Sequence, residues 1–193
     1  MRTYVGLAIA VGLLIPAAAT AQEAGQAGIT MGYPGSVGLL YHVSERVALR
    51  PEFTVSRINS SSTSTVVSTG SRSWAFGVGA SALFYFAKRD NVRPYVSPRF
   101  TYQRTSTTFE GGNLPGSPAV VTNNHADGYS ASGLVGAQYS PNDRFGVFGE
   151  VGFGYARTNG TSGTASNGTS GTASTSTSDS WSTRTGAGVV LYF

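Results

Sequence analysis

The stretch from Trp181 to Phe193 constrains the fold more than any other part of the chain. Taken alternately, its residues separate into two sets. One is Trp181, Thr183, Thr185, Ala187, Val189, Leu191 and Phe193; the other is Ser182, Arg184, Gly186, Gly188, Val190 and Tyr192. The first is apolar with an aromatic ring at each end, and the second carries a charge, a hydroxyl and glycines. A period of two is that of a β-strand with chemically different faces. The length of the apolar face and its aromatic ends suit a strand that crosses a bilayer and anchors at both interfaces.

The N-terminus agrees with a destination outside the cytoplasm. Met1-Arg2-Thr3-Tyr4 is a short basic start, Val5–Ile15 is a run of apolar residues and glycine, and Pro16 ends it. Ala19-Thr20-Ala21 has the small-x-small form of a cleavage site, so residues 1–21 read as a secretory signal peptide cut before Gln22. Residues 22–193 are then one domain. No other segment is apolar for long enough to cross a membrane as a helix. Cysteine is absent, which excludes disulfides, thiolate metal sites and Cys nucleophiles. The basic residues are scattered among a charged content of only 11%, which is not a nucleic-acid footprint.

The same alternation recurs backward along the chain, in Arg144–Arg157, Tyr129–Tyr139, Arg93–Arg104, Ser73–Phe86, Val47–Ser56 and Ser36–Val43. Tight charged connections (Ser44-Glu45-Arg46, Lys88–Asn91, Pro141–Arg144) alternate with long ones rich in Ser, Thr, Gly and Asn (Asn59–Gly70, Thr105–Ala126, Thr158–Ser178). This rhythm is that of an all-β, antiparallel up-and-down barrel with short turns at one end and long, mobile loops at the other. Seven strands alternate well. An even count requires an eighth in Gly25–Gly32, with Tyr33-Pro34-Gly35 as a tight outer turn. Pro51, Pro94 and Pro98 fall inside strands and imply bulges there.

Closing this pattern into a barrel sends Trp74, Phe76, Phe84, Phe86, Phe145, Phe153, Trp181 and Phe193 to the lipid face as an aromatic girdle. It sends Arg50, Glu52, Arg99, Glu150 and Arg184 inward. An eight-stranded barrel has an interior that side chains just fill, so buried charges there need partners. The economical reading is a paired polar core with Gln103 and Gln138, in which Arg184 or Arg99 answers Glu150. The alternative is an ion path lined by the same charges.

Other motifs carry less. His42 points inward near a short turn, as a hydrogen-bonding residue, and no second histidine is placed to make it a metal ligand. His125 and Asp127 lie in a long connection beside interchangeable serines, a weak basis for a catalytic rim. Gly77-Val-Gly79 and Gly152-Phe-Gly154 lie inside strands and make room for bulky neighbours. Asn159-Gly-Thr-Ser-Gly-Thr-Ala-Ser166 is repeated unchanged as Asn167–Ser174, a flexible surface duplication whose Asn-Gly-Thr sequons are by-products of its composition. No catalytic residue, metal site or cofactor motif emerges.

With these features in hand, residues 22–193 resemble the small outer-membrane β-barrels of Gram-negative bacteria, the OmpX/OmpA-type eight-stranded superfamily. The resemblance rests on the signal peptide, the alternating strands, the turn and loop rhythm, the Val47-Ala-Leu-Arg-Pro-Glu-Phe53 stretch and the final Leu191-Tyr192-Phe193. It implies residence in the outer membrane, contact with outer-membrane lipid, and insertion by the barrel-assembly machinery. Val189, Tyr192 and Phe193 would carry the signal that this machinery reads. The resemblance fixes location better than activity, and the first reading of the role is a structural or surface-interaction barrel whose long loops meet the outside, toward an external ligand that the residues do not identify. A small pore and a lipid-modifying membrane enzyme are the competing readings.

Overall fold

The computed structural model describes residues 24–33, 35–63, 68–86, 91–111, 120–166 and 169–193. The segment read as a signal peptide, the residue Pro34 and most of the turn at Lys88–Asn91 lie outside the described residues. Eight strands follow one another: β1 Ala27–Tyr33, β2 Ser36–Ser44, β3 Val47–Thr63, β4 Ser68–Tyr85, β5 Val92–Gly111, β6 Val120–Asn142, β7 Phe145–Ser166 and β8 Thr169–Tyr192. Each pairs antiparallel with its chain neighbour, and β8 pairs back onto β1 to close a barrel. The weakly alternating first strand is present. Its turn into β2 is closed by the Gly35 amide donating to the Gly32 carbonyl at 2.8 Å, with Gly35 at φ 81°, where a side chain would be strained.

The parity read from the sequence holds on the seven strands that alternate well. Leu39, Phe53, Phe76, Phe84, Phe100, Val135, Val151, Phe153 and Leu191 are exposed on the outer face, while Leu40, Ala48, Leu83, Tyr95 and Val190 are buried inside. An apolar belt of this extent on a closed barrel is stable only in hydrocarbon, because water would meet it on every side. The chain is a transmembrane β-barrel. Phe86, Phe145, Tyr139, Val43 and Phe193 mark the lower edge of the belt; Trp74, Phe76, Tyr129, Tyr155 and Trp181 mark the upper. Just above the upper ring two like clusters repeat. The Tyr102 hydroxyl donates to Asp127 at 2.7 Å with Arg104 3.7 Å from the same carboxylate, and Tyr155 donates to Asp179 at 2.7 Å with Arg157 at 3.8 Å. A ring below and charges above suit the membrane–water boundary.

Two expectations need correction. First, the long connections are not loops. β7 and β8 run for 22 and 24 residues, about twice what a crossing needs, and their upper halves stay paired up to Ser166↔Thr169. The segments at 59–70, 105–126 and 158–178 are mostly strand, and only short stretches at their tips lie outside the described residues. Both faces of these extensions meet water, so they lack the apolar alternation that betrays a strand. The duplicated octapeptide sits at the top of this hairpin, where the two copies pair with each other: Ser162↔Ser174, Gly163↔Ala173 and Ala165↔Ser170.

Second, the strand prolines sit at no bulge. The register shifts fall at His42/Ser44, Tyr139/Asn142 and Gly163/Ala165. The β2–β3 ladder instead skips from Gly38↔Glu52 to Tyr41↔Leu49 without changing register, passing over Pro51, and β4–β5 skips likewise past Pro98. The missing N–H costs a rung and not the alignment. The wall is also uneven. β1 stops at Tyr33↔Ala187 and β2 meets β3 no higher than Val37↔Phe53. Among the described residues, β3 above Phe53 and β8 before Ala187 therefore have a neighbour on one side only. They face each other across an opening above the β1–β2 turn.

Val135 and Val151 are cross-strand partners, both more than half exposed near the middle of the belt. Val135→Arg or Val151→Arg should each destabilise the folded barrel by about 2–4 kcal/mol in lipid, measured by urea titration in vesicles. The same change at Thr175, high on β8, should be near neutral. Deleting Asn167–Ser174 should leave the heat-modifiable gel migration of the barrel unchanged, because it only shortens a hairpin arm in water.

Candidate functional site

The lumen divides into a filled lower part and an open upper cup. Inward positions of β6–β8 are mostly Gly, Ser and Val, whereas β2–β5 send in His42, Arg50, Tyr85, Arg93, Tyr95 and Arg99. Large side chains from one wall thus cross to a wall that yields space. Gly136 shows the fit: a Cβ there would lie 2.8 Å from the Tyr95 hydroxyl and 2.7 Å from the Gly149 carbonyl. Any side chain would displace the ring.

In the lowest layer Gln138 joins two tyrosines. Its carbonyl accepts from the Tyr85 hydroxyl at 3.0 Å, and its amide donates to the Tyr192 hydroxyl at 2.6 Å. His42, fully buried, lies 3.5 Å from the same Tyr192 oxygen and stacks on Tyr85 at 5.6 Å between ring centroids. The Arg93 guanidinium lies over the Tyr85 ring, 4.7 Å from its centroid, and donates to the Glu45 carbonyl in the turn below. Tyrosine suits this layer because it supplies aromatic volume together with a hydroxyl that reaches a partner.

The next layer holds the charges. Arg50 donates to Glu150 at 2.7 Å, and both side chains are all but inaccessible. The same Glu150 oxygen accepts from the Tyr95 hydroxyl at 2.8 Å, and Arg50 also donates to the Ser81 hydroxyl and lies over the Phe148 ring. One step higher, Arg99 donates to Glu52 at 2.7 Å. This second pair forms part of the cup's floor, and Glu52 Oε1 and Arg99 Nε are buried without a partner.

Four of the five inward charges are thus brought together, as Arg50–Glu150 and Glu52–Arg99. The partner of Glu150 is Arg50, not Arg184 or Arg99. Counting residues up from the turns treats the strands as level, whereas tilt and stagger place Arg50 and Glu150 in one layer. Arg184 has inward parity but is exposed, and among the described residues it makes no ion pair. It sits three residues above Ala187, where β1 has already ended and the wall is open. Of the proposed assembly-signal residues, Val189 and Phe193 face outward beside the β1–β8 seam, while Tyr192 is buried in the Gln138 layer. His125 is exposed on the outer face and Asp127 is engaged by Tyr102 and Arg104, so no catalytic rim is assembled there. Gln103 is exposed in the cup. The tyrosine layer escaped the sequence reading, although Tyr85, Tyr95 and Tyr192 all break the apolar-out parity, and that was the available signal.

Above this floor lies a cavity of about 530 Å³. Glu52, Arg99 and Glu150 line its base, and Thr101, Gln103, Ser130 and Ser132 line its wall. It also reaches Tyr33, Phe53, Val55, Ser56 and Thr183–Gly186, the rim of the opening between β3 and β8. The cup is therefore bounded on that side by the gap and not by a strand.

No protein-family model and no curated protein sequence matches the chain. Among solved structures it is similar to Acinetobacter baumannii CarO, at 16% identity and TM-score 0.43 over 88% of this chain and 97% of that one. Acinetobacter baumannii CarO2 gives 15% identity and TM-score 0.44 over 87% and 97%. The ferric yersiniabactin uptake receptor FyuA of Yersinia pestis gives 12% and 0.48, over 80% of this chain and 24% of that one. Likenesses at this level add nothing to what the geometry itself establishes.

Glu150 alone answers Arg50 and accepts from Tyr95, so Glu150→Ala should destabilise the barrel by roughly 3–5 kcal/mol, as expected when a buried pair loses one partner. Combining it with Arg50→Met should recover part of that loss. Equal losses from single and double variants in a urea titration would contradict the pairing.

Proposed function

We propose that the chain is an integral outer-membrane β-barrel of a Gram-negative envelope, exported by the signal peptide at residues 1–21, with a sealed lumen and a structural or surface-interaction role. The observation that carries this reading is the filled lower lumen. His42, Tyr85, Tyr95, Gln138, Glu150 and Tyr192 occupy the cross-section in two bonded layers, and most of them are less than 7% exposed. A path for ions would have to break these contacts, and an unpaired Glu150 or Arg50 would then stand in a narrow, poorly solvated channel.

The Ser/Thr/Gly-rich extensions of β3–β8 give the barrel a sheet that rises well beyond the membrane, and through it the protein meets its surroundings. A role through paired strands differs from one through mobile loops. The presented surface is a fixed pattern of hydroxyls and not an adaptable tether. The assembly-signal role of Val189, Tyr192 and Phe193 belongs to the same proposal. It is supported by the outward position of Val189 and Phe193 at the seam, where β8 is the last strand to pair. The pore reading comes second, and the lipid-modifying enzyme third, since His125 has no assembled partner.

Protein purified and inserted into a planar bilayer should give no steady current. Tyr85→Ala combined with Tyr95→Ala, which hollows the two layers while leaving the charge pairs, should introduce one. A stable, ion-selective current from the wild-type barrel, altered by Glu150→Gln, would replace the sealed reading by the pore.

A further inference from the structure

The opening above the β1–β2 turn lies within the depth of the membrane. Tyr33 is level with Ala187, six residues below Trp181 on β8. At about 3.3 Å per residue and a strand tilt near 40°, that places the turn roughly 15 Å below the upper aromatic ring. The other side agrees: Phe53, where β2 last pairs, lies four residues below Arg57, the partner of Trp74. The wall is therefore breached in the upper half of the apolar belt. Unpaired backbone groups of β3 and β8 facing hydrocarbon there would cost several kcal/mol apiece. An occupant or water from the cup must meet them.

The chemistry around the breach is two-sided. Toward lipid stand Tyr33, Phe53, Val55 and Trp181, exposed by 74%, 51%, 64% and 80%. On the cup side Ile58 is also exposed, an apolar residue at an inward position. Toward the cup the charges do not cancel. Glu52 and Arg99 are paired and Arg50 and Glu150 are paired, which leaves Arg184 on one edge as a cation with no ion pair among the described residues. Arg57 stands on the opposite edge but has outward parity, so it adds no charge to the cup. On the floor, Arg99 Nε and Glu52 Oε1 each lack a partner. The cavity of about 530 Å³ falls within the size range of small-molecule sites.

We propose that the cup is a binding site for a single-chain amphiphile with an anionic head, a carboxylate or phosphate, which enters sideways from the outer leaflet between β3 and β8. The head lies in the cup against Arg184 and the open Nε–H of Arg99, and the chain leaves through the breach along Val55, Ile58 and Trp181. The inference rests on the membrane-barrel reading and goes beyond it, since a sealed barrel needs no lateral door.

The test uses photo-crosslinking in phosphatidylcholine nanodiscs. The probe is palmitate carrying a diazirine on its chain, and labelled peptides are mapped by mass spectrometry. Label should concentrate on Phe53–Ile58 and Trp181–Gly186. It should fall about tenfold in Arg184→Gln, and also in Ser56→Trp, which fills the cup beside the opening. Laurate should displace the probe and inorganic phosphate should not. Label spread evenly around the belt and indifferent to Arg184→Gln would overturn the proposal. Displacement by phosphate as effective as by laurate would also overturn it, showing an anion site reached from water. Heat-modifiable migration of each variant is read in parallel. Its loss in wild type would count against the barrel itself, whereas retained migration with unlocalised label counts against the lateral site alone.

Discussion

Six residue pairs, from Gly28↔Tyr192 to Tyr33↔Ala187, hold the first strand to the last, and the rest of the molecule depends on that seam. In hydrocarbon every backbone N–H and C=O needs a partner, so a sheet edge at membrane depth must be closed by another strand or met from a cavity. β1 has only 7 residues against 24 in β8, so closure extends no higher than β1 does. Below Tyr33 the ring is complete and its own side chains must fill the lumen. Above it the sheet is a curved wall with two edges. Sealed base, open cup and lateral breach all follow from where one short strand stops.

The base shows how a narrow barrel accommodates polar groups away from bulk water. Isolated ions there would be prohibitively costly, and matched pairs remain marginal unless further hydrogen bonds complete them. Glu150 meets this condition with two donors on one oxygen, from Arg50 and Tyr95. The Glu52–Arg99 pair does not, and it is the one that borders the cavity. The completed pair belongs to the base and the incomplete pair to the cup, a division that separates stability from recognition within a few ångströms.

The strand order, the outward aromatic belt and the inward charges were legible because a bilayer imposes a period of two on any strand that crosses it. The upper strands were not legible for the converse reason. In Ser60–Thr63 and Ser68–Ser71, or in Thr161–Ser166 and Thr169–Ser176, both faces of the strands meet water and no alternation marks them. The position of Arg184 was read correctly in parity and wrongly in environment, since parity gives the face but not whether a neighbouring strand is present to cover it. The partner of Glu150 depended on stagger, a property of the closed barrel and not of any one strand. Pro51 and Pro98 misled because proline was expected to shift the register, whereas a single skipped rung suffices.

The paired octapeptides at the top of β7 and β8 carry a consequence for how the chain changes over generations. A tandem coding repeat gains and loses whole copies when its template slips. In a loop the result would be slack. In a hairpin, each added copy of eight residues lengthens each arm by four, an even number, so every existing side chain keeps its face and its cross-strand partner class. The upper part of the barrel is therefore free to grow or shrink in register-neutral increments, altering how far the protein stands from the membrane while leaving the membrane-embedded ring untouched.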